Sequence, residues 1–138
     1  MKLVNVNEYL RKINQVSLAT VNGQQPEVRL ISLVFFEDKW WAVTVTSRPK
    51  VKQIKENNRF AFCAPISEKD QVGSIRAMGK IEIEEDLEIK KRISDTIPFF
   101  KEYWKGYDDP EFTLMQFKIE KIIAQNPLDN QFHTFDLV

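Results

Sequence analysis

The segment Thr44-Val45-Thr46-Ser47-Arg48-Pro49-Lys50-Val51-Lys52-Gln53-Ile54 gathers the residue types of this chain best suited to hold an anion. Pro49 suits the first turn of a helix running to about Asn57, and the residues before it read as the end of a strand. A helix N-terminus exposes unpaired N–H groups and carries partial positive charge, so acidic residues normally collect there. Here Arg48, Lys50 and Lys52 stand instead, with no acid before Glu56. Two arrangements meet that electrostatic demand. A phosphate could accept hydrogen bonds from the free amides and from the hydroxyl of Thr46 or Ser47, or the basic first turn could simply be solvated.

Other polar residues carry less. Alternation over Val28 to Phe36 puts Glu27, Arg29, Ile31, Leu33 and Phe35 on one face and Val28, Leu30, Ser32, Val34 and Phe36 on the other. Both faces are apolar, which calls for a helix or a second subunit against the outside. Arg29 then lies on a partly dry face and needs a partner, either Glu27 or a bound anion. Arg76 falls on the polar face of the alternating strand Ser74 to Glu84, where solvent suffices. The stripe Phe100, Tyr103, Trp104 and Tyr107 has helical spacing, fit to cap a planar ligand or to pack in a core or dimer contact. His133 has no neighbouring nucleophile or acid motif, and the acids from Glu82 to Asp86 read as a solvated strand end. No side chain declares itself catalytic.

The elements that must position these residues follow from periodicity. Asn5 or Asn7 can cap a helix ending near Ile13, and Val16 to Val21, Val28 to Phe36 and Trp40 to Val45 read as a meander of strands broken at Asn22-Gly23 and Glu37-Asp38-Lys39. The basic helix leads to a strand from Arg59 to Pro65, then a polar loop from Ile66 to Gln71, then Ser74 to Glu84. Asp86 to Ser94 reads as a helix with Leu87, Ile89 and Ile93 inward, and a second helical stretch runs from Pro98 to about Gly106. Phe112 to Ile123 and Phe132 to Val138 complete six or seven strands, which favours a closed antiparallel barrel because closure removes exposed edges.

Composition sets the class. The 138 residues fit one domain, 1–138, and 43% apolar with 29% charged residues is the balance of a globular protein. Twenty basic residues match twenty acidic ones, so no overall field draws in nucleic acid or an anionic membrane, and an anion site must be local. A single cysteine, Cys63, which reads as a small core residue inside an apolar run, the absence of a signal-like N-terminal run, and one histidine lead to the expectation of a cytoplasmic protein without a structural zinc site.

Several runs, taken together, resemble a known family: Leu18 to Arg29, Trp41 to Thr44, Lys50 to Arg59, and Ile75-Arg76-Ala77-Met78-Gly79. Their order and spacing are similar to the pyridoxamine 5'-phosphate oxidase-like, FMN-binding split-barrel family over nearly the whole chain. The resemblance implies an antiparallel, Greek-key-like split barrel and a homodimer with FMN in two equivalent clefts between subunits. It implies an FMN-dependent oxidoreductase of unassigned substrate, with a nicotinamide nucleotide as a candidate electron donor. Under it, Arg29, Thr44, Thr46 and chiefly Ser47, Lys50 and Lys52 hold the FMN phosphate, Lys50 and Lys52 competing for one role two residues apart. Gln53 and Arg76 would stand near the ribityl chain or the neighbouring subunit. Two departures separate this chain from the true oxidases. Gln131 to Val138 lacks their arginine-rich substrate segment, and Pro49 stands where they carry a second basic residue before the lysine. A flavin-binding carrier, sensor or stress protein would need the same clamp. An oligonucleotide-binding barrel, stacking bases on Phe35, Phe36, Trp40 and Trp41, is a third reading that the balanced charge opposes.

Overall fold

Apolar alternation curls the chain into an antiparallel sheet, described for residues 1–138 by a computed structural model in which 50% is strand and 21% helix. In chain order the elements are α1 (Leu3–Arg11), β1 (Gln15–Asn22), β2 (Gln25–Ser32), β3 (Val34–Phe36), β4 (Lys39–Val45), α2 (Pro49–Glu56), β5 (Arg59–Glu68), β6 (Gln71–Glu84), α3 (Leu87–Ser94), α4 (Phe100–Tyr103), β7 (Phe112–Gln125) and β8 (Phe132–Asp136). The sheet runs β2-β1-β5-β6-β7-β4-β3, with β8 added beside β7.

The expected strand Val28 to Phe36 is two strands. Leu33 leaves the ladder and donates its N–H to the Asn14 carbonyl at 3.0 Å. On one side of it Ser32 pairs with Gln15, and on the other Val34 pairs with Trp41. The two ends of the sheet are thus consecutive in sequence, which forces the sheet to curl into a half-barrel. The expected meander and closed barrel give way to an eight-stranded sheet whose hydrogen-bond path stays open between β2 and β3. β1 takes β5 as its second neighbour and β4 takes β7. Such long-range choices leave no mark on local periodicity.

Turns follow their residue chemistry. Gly23 opens the β1–β2 hairpin with φ +63°, a value that glycine adopts without penalty. Glu37 and Asp38 both have left-handed φ, and so do Lys69 and Asp70. The expected loop Ile66 to Gln71 is therefore a two-residue hairpin, with β5 and β6 extended to meet it. Between Met78 and Gly79 the pairing with β7 skips Glu120, a bulge. A Cβ at Gly79 would lie 2.1 Å from the Lys118 carbonyl oxygen, so only glycine fits that close approach.

The helices depart from expectation mainly at their ends. α1 begins at Leu3, because Asn5 reaches back from inside the helix to accept the Lys2 N–H at 2.8 Å. The aromatic helix shrinks to α4, four residues long. Asp86 caps α3 by accepting from Glu88 and Ile89, but Leu87 is 53% exposed rather than inward. One core fills the curl, with Leu18, Phe62, Ile75 and Ile122 from the sheet and Val6 and Leu10 from α1. A second core, of Trp41, Ile93, Phe100, Trp104, Phe112 and Leu114, clamps α3 and α4 to the other face of β4 and β7. β4 is thus covered on both faces. No helix is long and apolar enough to cross a membrane.

Candidate functional site

β3 pairs only with Lys39, Trp40 and Trp41, so the same edge of β4 from Val43 onward has no partner strand. β2 comes opposite that edge through Leu30, Ile31 and Ser32, and the split between them is a cavity of about 230 Å³. Arg48 and Lys50, at the start of α2, line it on one side; Phe99, Glu102, Tyr103 and Trp104, from α4 and its flanks, line it on another. The open side of the half-barrel and the expected anion-binding segment coincide.

Three features give the cavity its chemistry. Lys50 is only 9% exposed, yet it belongs to none of the five salt bridges of the chain. Burial, followed by repulsion from Arg48 and Arg29, pushes its ammonium below the usual lysine range. Thr44, 4% exposed on β4, points a buried hydroxyl that has no hydrogen-bond partner. An unpaired buried hydroxyl costs about 1–3 kcal/mol, so such groups in folded proteins generally serve a further partner. Tyr103 stands at the rim, 53% exposed, with its ring edge-on to Phe99 at 6.0 Å. Trp104 is fixed beneath by donating its indole N–H to the Glu111 carbonyl at 2.6 Å. The cavity therefore offers two cations, Arg48 and Lys50, and one acid, Glu102, beside an aromatic wall, with the unpartnered Thr44 hydroxyl buried in its lining.

The residues singled out by sequence divide into three groups. Thr44 and Lys50 line the cavity. Arg29 and Gln53 lie behind it: Arg29 donates to the Leu18 carbonyl at 3.3 Å, to Thr20 Oγ1 at 2.6 Å and to Gln53 Oε1 at 3.2 Å, and burial lowers its pKa. Neither Glu27 nor any other acid forms an ion pair with it. Thr46, Ser47, Lys52 and Arg76 are not among the residues that line the cavity. The Thr46 hydroxyl lies 2.7 Å from Thr113 Oγ1 and donates to the Pro110 carbonyl at 2.8 Å, and the Ser47 N–H donates to the Glu111 carboxylate at 3.1 Å. The acid missing near this helix start in the sequence thus arrives, in part, from 64 residues away. Lys52 is exposed on the far side of α2, so of the two competing lysines only Lys50 faces the split. Arg76 is exposed on the outer face of β6, cross-strand from Cys63.

Arg48 is a cavity residue that lies within the Thr44 to Lys52 segment of the family pattern but was not among its chief ligands. Pro49 interrupts the expected basic pair, but the turn before the helix brings Arg48, two positions ahead of Lys50, to the same opening. Its signal in the sequence was the run of three cations without an acid. Glu102 carried no such signal, because its place in the wall depends on how α4 packs.

A curled antiparallel half-barrel with a polar cavity in its split defines the split-barrel class. The chain belongs to the pyridoxamine 5'-phosphate oxidase family, whose model matches residues 5–126. Solved structures agree in fold. A NimC/NimA family protein from Clostridium acetobutylicum superposes with a TM-score of 0.79 at 22% identity, covering 97% of this chain and 91% of that one. General stress protein 26 from Bacillus anthracis gives 0.76 at 18%, covering 98% and 100%. A heme binding protein from Mycobacterium smegmatis gives 0.74 at 15%, covering 93% of this chain and 55% of its own. No curated protein matches the sequence significantly.

Proposed function

We propose that this chain is an FMN-binding flavoprotein of the pyridoxamine 5'-phosphate oxidase family, acting as a homodimeric oxidoreductase on a small molecule. The observation that carries the reading is the nearly buried Lys50 side chain, which joins no salt bridge, with Arg48 and the partnerless Thr44 hydroxyl, at the split between β2 and β4. A phosphate monoester answers all three demands. It supplies charge to two cations that join no salt bridge, and acceptor oxygens to a hydroxyl that has no partner. The family usually binds a flavin, and the aromatic wall beside the cations suits a phosphate joined to a planar ring.

Bound FMN would supply hydride or single-electron transfer at its ring, chemistry that needs no nucleophilic side chain. The protein's part is binding and orientation. Lys50 and Arg48 neutralise the phosphate, Thr44 donates its hydroxyl, and Phe99 and Tyr103 keep water from one side of the split. A second copy is the natural cover for the rest. Val28 and Leu30 are 68% and 66% exposed on the outer face of β2, and neighbouring strands continue that face with small residues, Ser17, Ala19, Ala61 and Cys63. Leu30 also lines the cavity, so the dimer face and the split share a border.

Absorbance of the freshly purified protein tests the reading. Flavin bands, or their appearance after FMN is added, are expected, with bleaching by a reduced nicotinamide nucleotide and recovery in air. A protein that stays colourless and quenches no FMN fluorescence at micromolar concentrations refutes it, and a Soret band would assign the split to haem instead. A flavin that no nicotinamide nucleotide reduces would leave a binding protein without turnover.

A further inference from the structure

Gln53, expected to stand near the cofactor, has every side-chain bond turned inward. Its Oε1 accepts from Thr20 Oγ1 at 2.9 Å and from Arg29 Nη2 at 3.2 Å, while its Nε2 donates to Glu27 Oε1 at 2.9 Å. The amide therefore lies between a guanidinium and a carboxylate, with its oxygen to the cation and its nitrogen to the anion. Glu27 is held further by Asn22 Nδ2 at 3.2 Å. Arg29 and Glu27 are two residues apart on one face of β2, an arrangement in which direct pairing is the obvious outcome, yet no ion pair forms. Glu27 still attracts the guanidinium from beyond contact distance, and the charge of Arg29 is also felt at Lys50, which it repels.

We propose that Gln53 is a positioning residue that separates Arg29 from Glu27 and so keeps the arginine's positive charge directed at the split between β2 and β4. This rests on the anion-binding reading of that split. The physical argument is one of competition. In a partly dry site an arginine paired with a carboxylate is neutralised locally and contributes little field to a phosphate. An amide satisfies the same donors without cancelling the charge, and its second end holds Oε1 of the carboxylate that would otherwise do so. The position on α2 matters, because Gln53 lies three residues after Lys50 and so one turn along the same buried face. The helix that carries the cavity lysine also carries the spacer.

FMN and inorganic phosphate titrations of the full chain, read by flavin fluorescence and by the shift in thermal midpoint, test the proposal. Gln53→Leu keeps the volume but frees Arg29 and Glu27 to pair. FMN affinity should fall by about tenfold to a hundredfold, the range for losing one charge-assisted contact. Adding Glu27→Gln to that variant should restore most of the loss, a recovery that a merely structural role for Gln53 would not give. Undiminished affinity in Gln53→Leu, or a loss that Glu27→Gln does not repair, overturns the proposal. If Gln53→Leu does not fold, Gln53→Glu retains the acceptor for Thr20 and Arg29 but places a negative charge on the guanidinium. It must weaken FMN binding by a similar factor, and unchanged affinity there also overturns the proposal. If the wild-type chain itself binds neither FMN nor phosphate, it is the functional reading that fails.

Discussion

Replacing Lys50 separates the cost of an unpaired buried cation from its use. In the ligand-free chain Lys50 is nearly buried, faces the like charges of Arg48 and Arg29, and has no carboxylate within 4.0 Å. Lys50→Met keeps much of the apolar stem and removes the charge, so the ligand-free protein should be no less stable than wild type. FMN binding should move the other way. Loss of one charge-assisted contact to a phosphate is worth about 1.5–3 kcal/mol, or roughly a tenfold to 150-fold rise in Kd. The pH dependence adds an independent check. Because the folded-state pKa of Lys50 lies below its unfolded value, the unfolded chain binds more protons in the window just below 10.5. Lys50 therefore disfavours the ligand-free fold while charged, and this penalty is relieved as pH rises through its folded pKa. Chemical denaturation of the ligand-free protein between pH 8 and the lysine range should show wild type gaining on Lys50→Met as pH rises, while its FMN affinity declines over the same range. If Lys50→Met instead destabilises the ligand-free protein and leaves FMN affinity unchanged, Lys50 is a packing residue and the site is misplaced.

Thr44→Val removes the partnerless hydroxyl at constant shape. The ligand-free protein should gain about 1 kcal/mol in thermal or denaturant unfolding, and FMN affinity should fall by several-fold. Val28→Glu puts a charge on the exposed outer face of β2 without touching either core, so sedimentation should show a monomer with an intact circular dichroism spectrum where wild type sediments as a dimer. Gly79→Ala forces a Cβ against the Lys118 carbonyl at the bulge, which should cost about 2–3 kcal/mol and lower the melting temperature without affecting FMN contacts directly.

Local chemistry read correctly where the signal is local. The hairpin at Gly23, the first-turn Pro49, the helix from Asp86 to Ser94 and the half-buried alternation of β6 are all properties of a few adjacent residues, and each appears at or near its expected place. The run of three cations Arg48, Lys50 and Lys52, with no acid before Glu56, is likewise visible in the sequence whatever surrounds it. Between Lys50 and Lys52 the sequence could not choose. Their choice depends on the rotation of α2 about its axis, which the packing of Val51 and Ile54 against the core decides.

What the sequence alone determined is the approximate place of most strands and helices, the two-faced apolar character of the β2–β3 region, and a basic turn short of acidic residues. These follow from side-chain periodicity and backbone preference, which act over a few residues. Only the tertiary structure decided that Leu33 sends one apolar run to opposite ends of the sheet, and that β4 is left half unpaired beside β2. It also decided that the Thr46 hydroxyl meets Pro110 and Thr113 and the Ser47 N–H meets Glu111, while Arg48 joins Lys50 in the split. Each of these depends on contacts between segments far apart in the chain, and a strand's choice of neighbour is settled by the free energy of the whole curled sheet rather than by any residue in it.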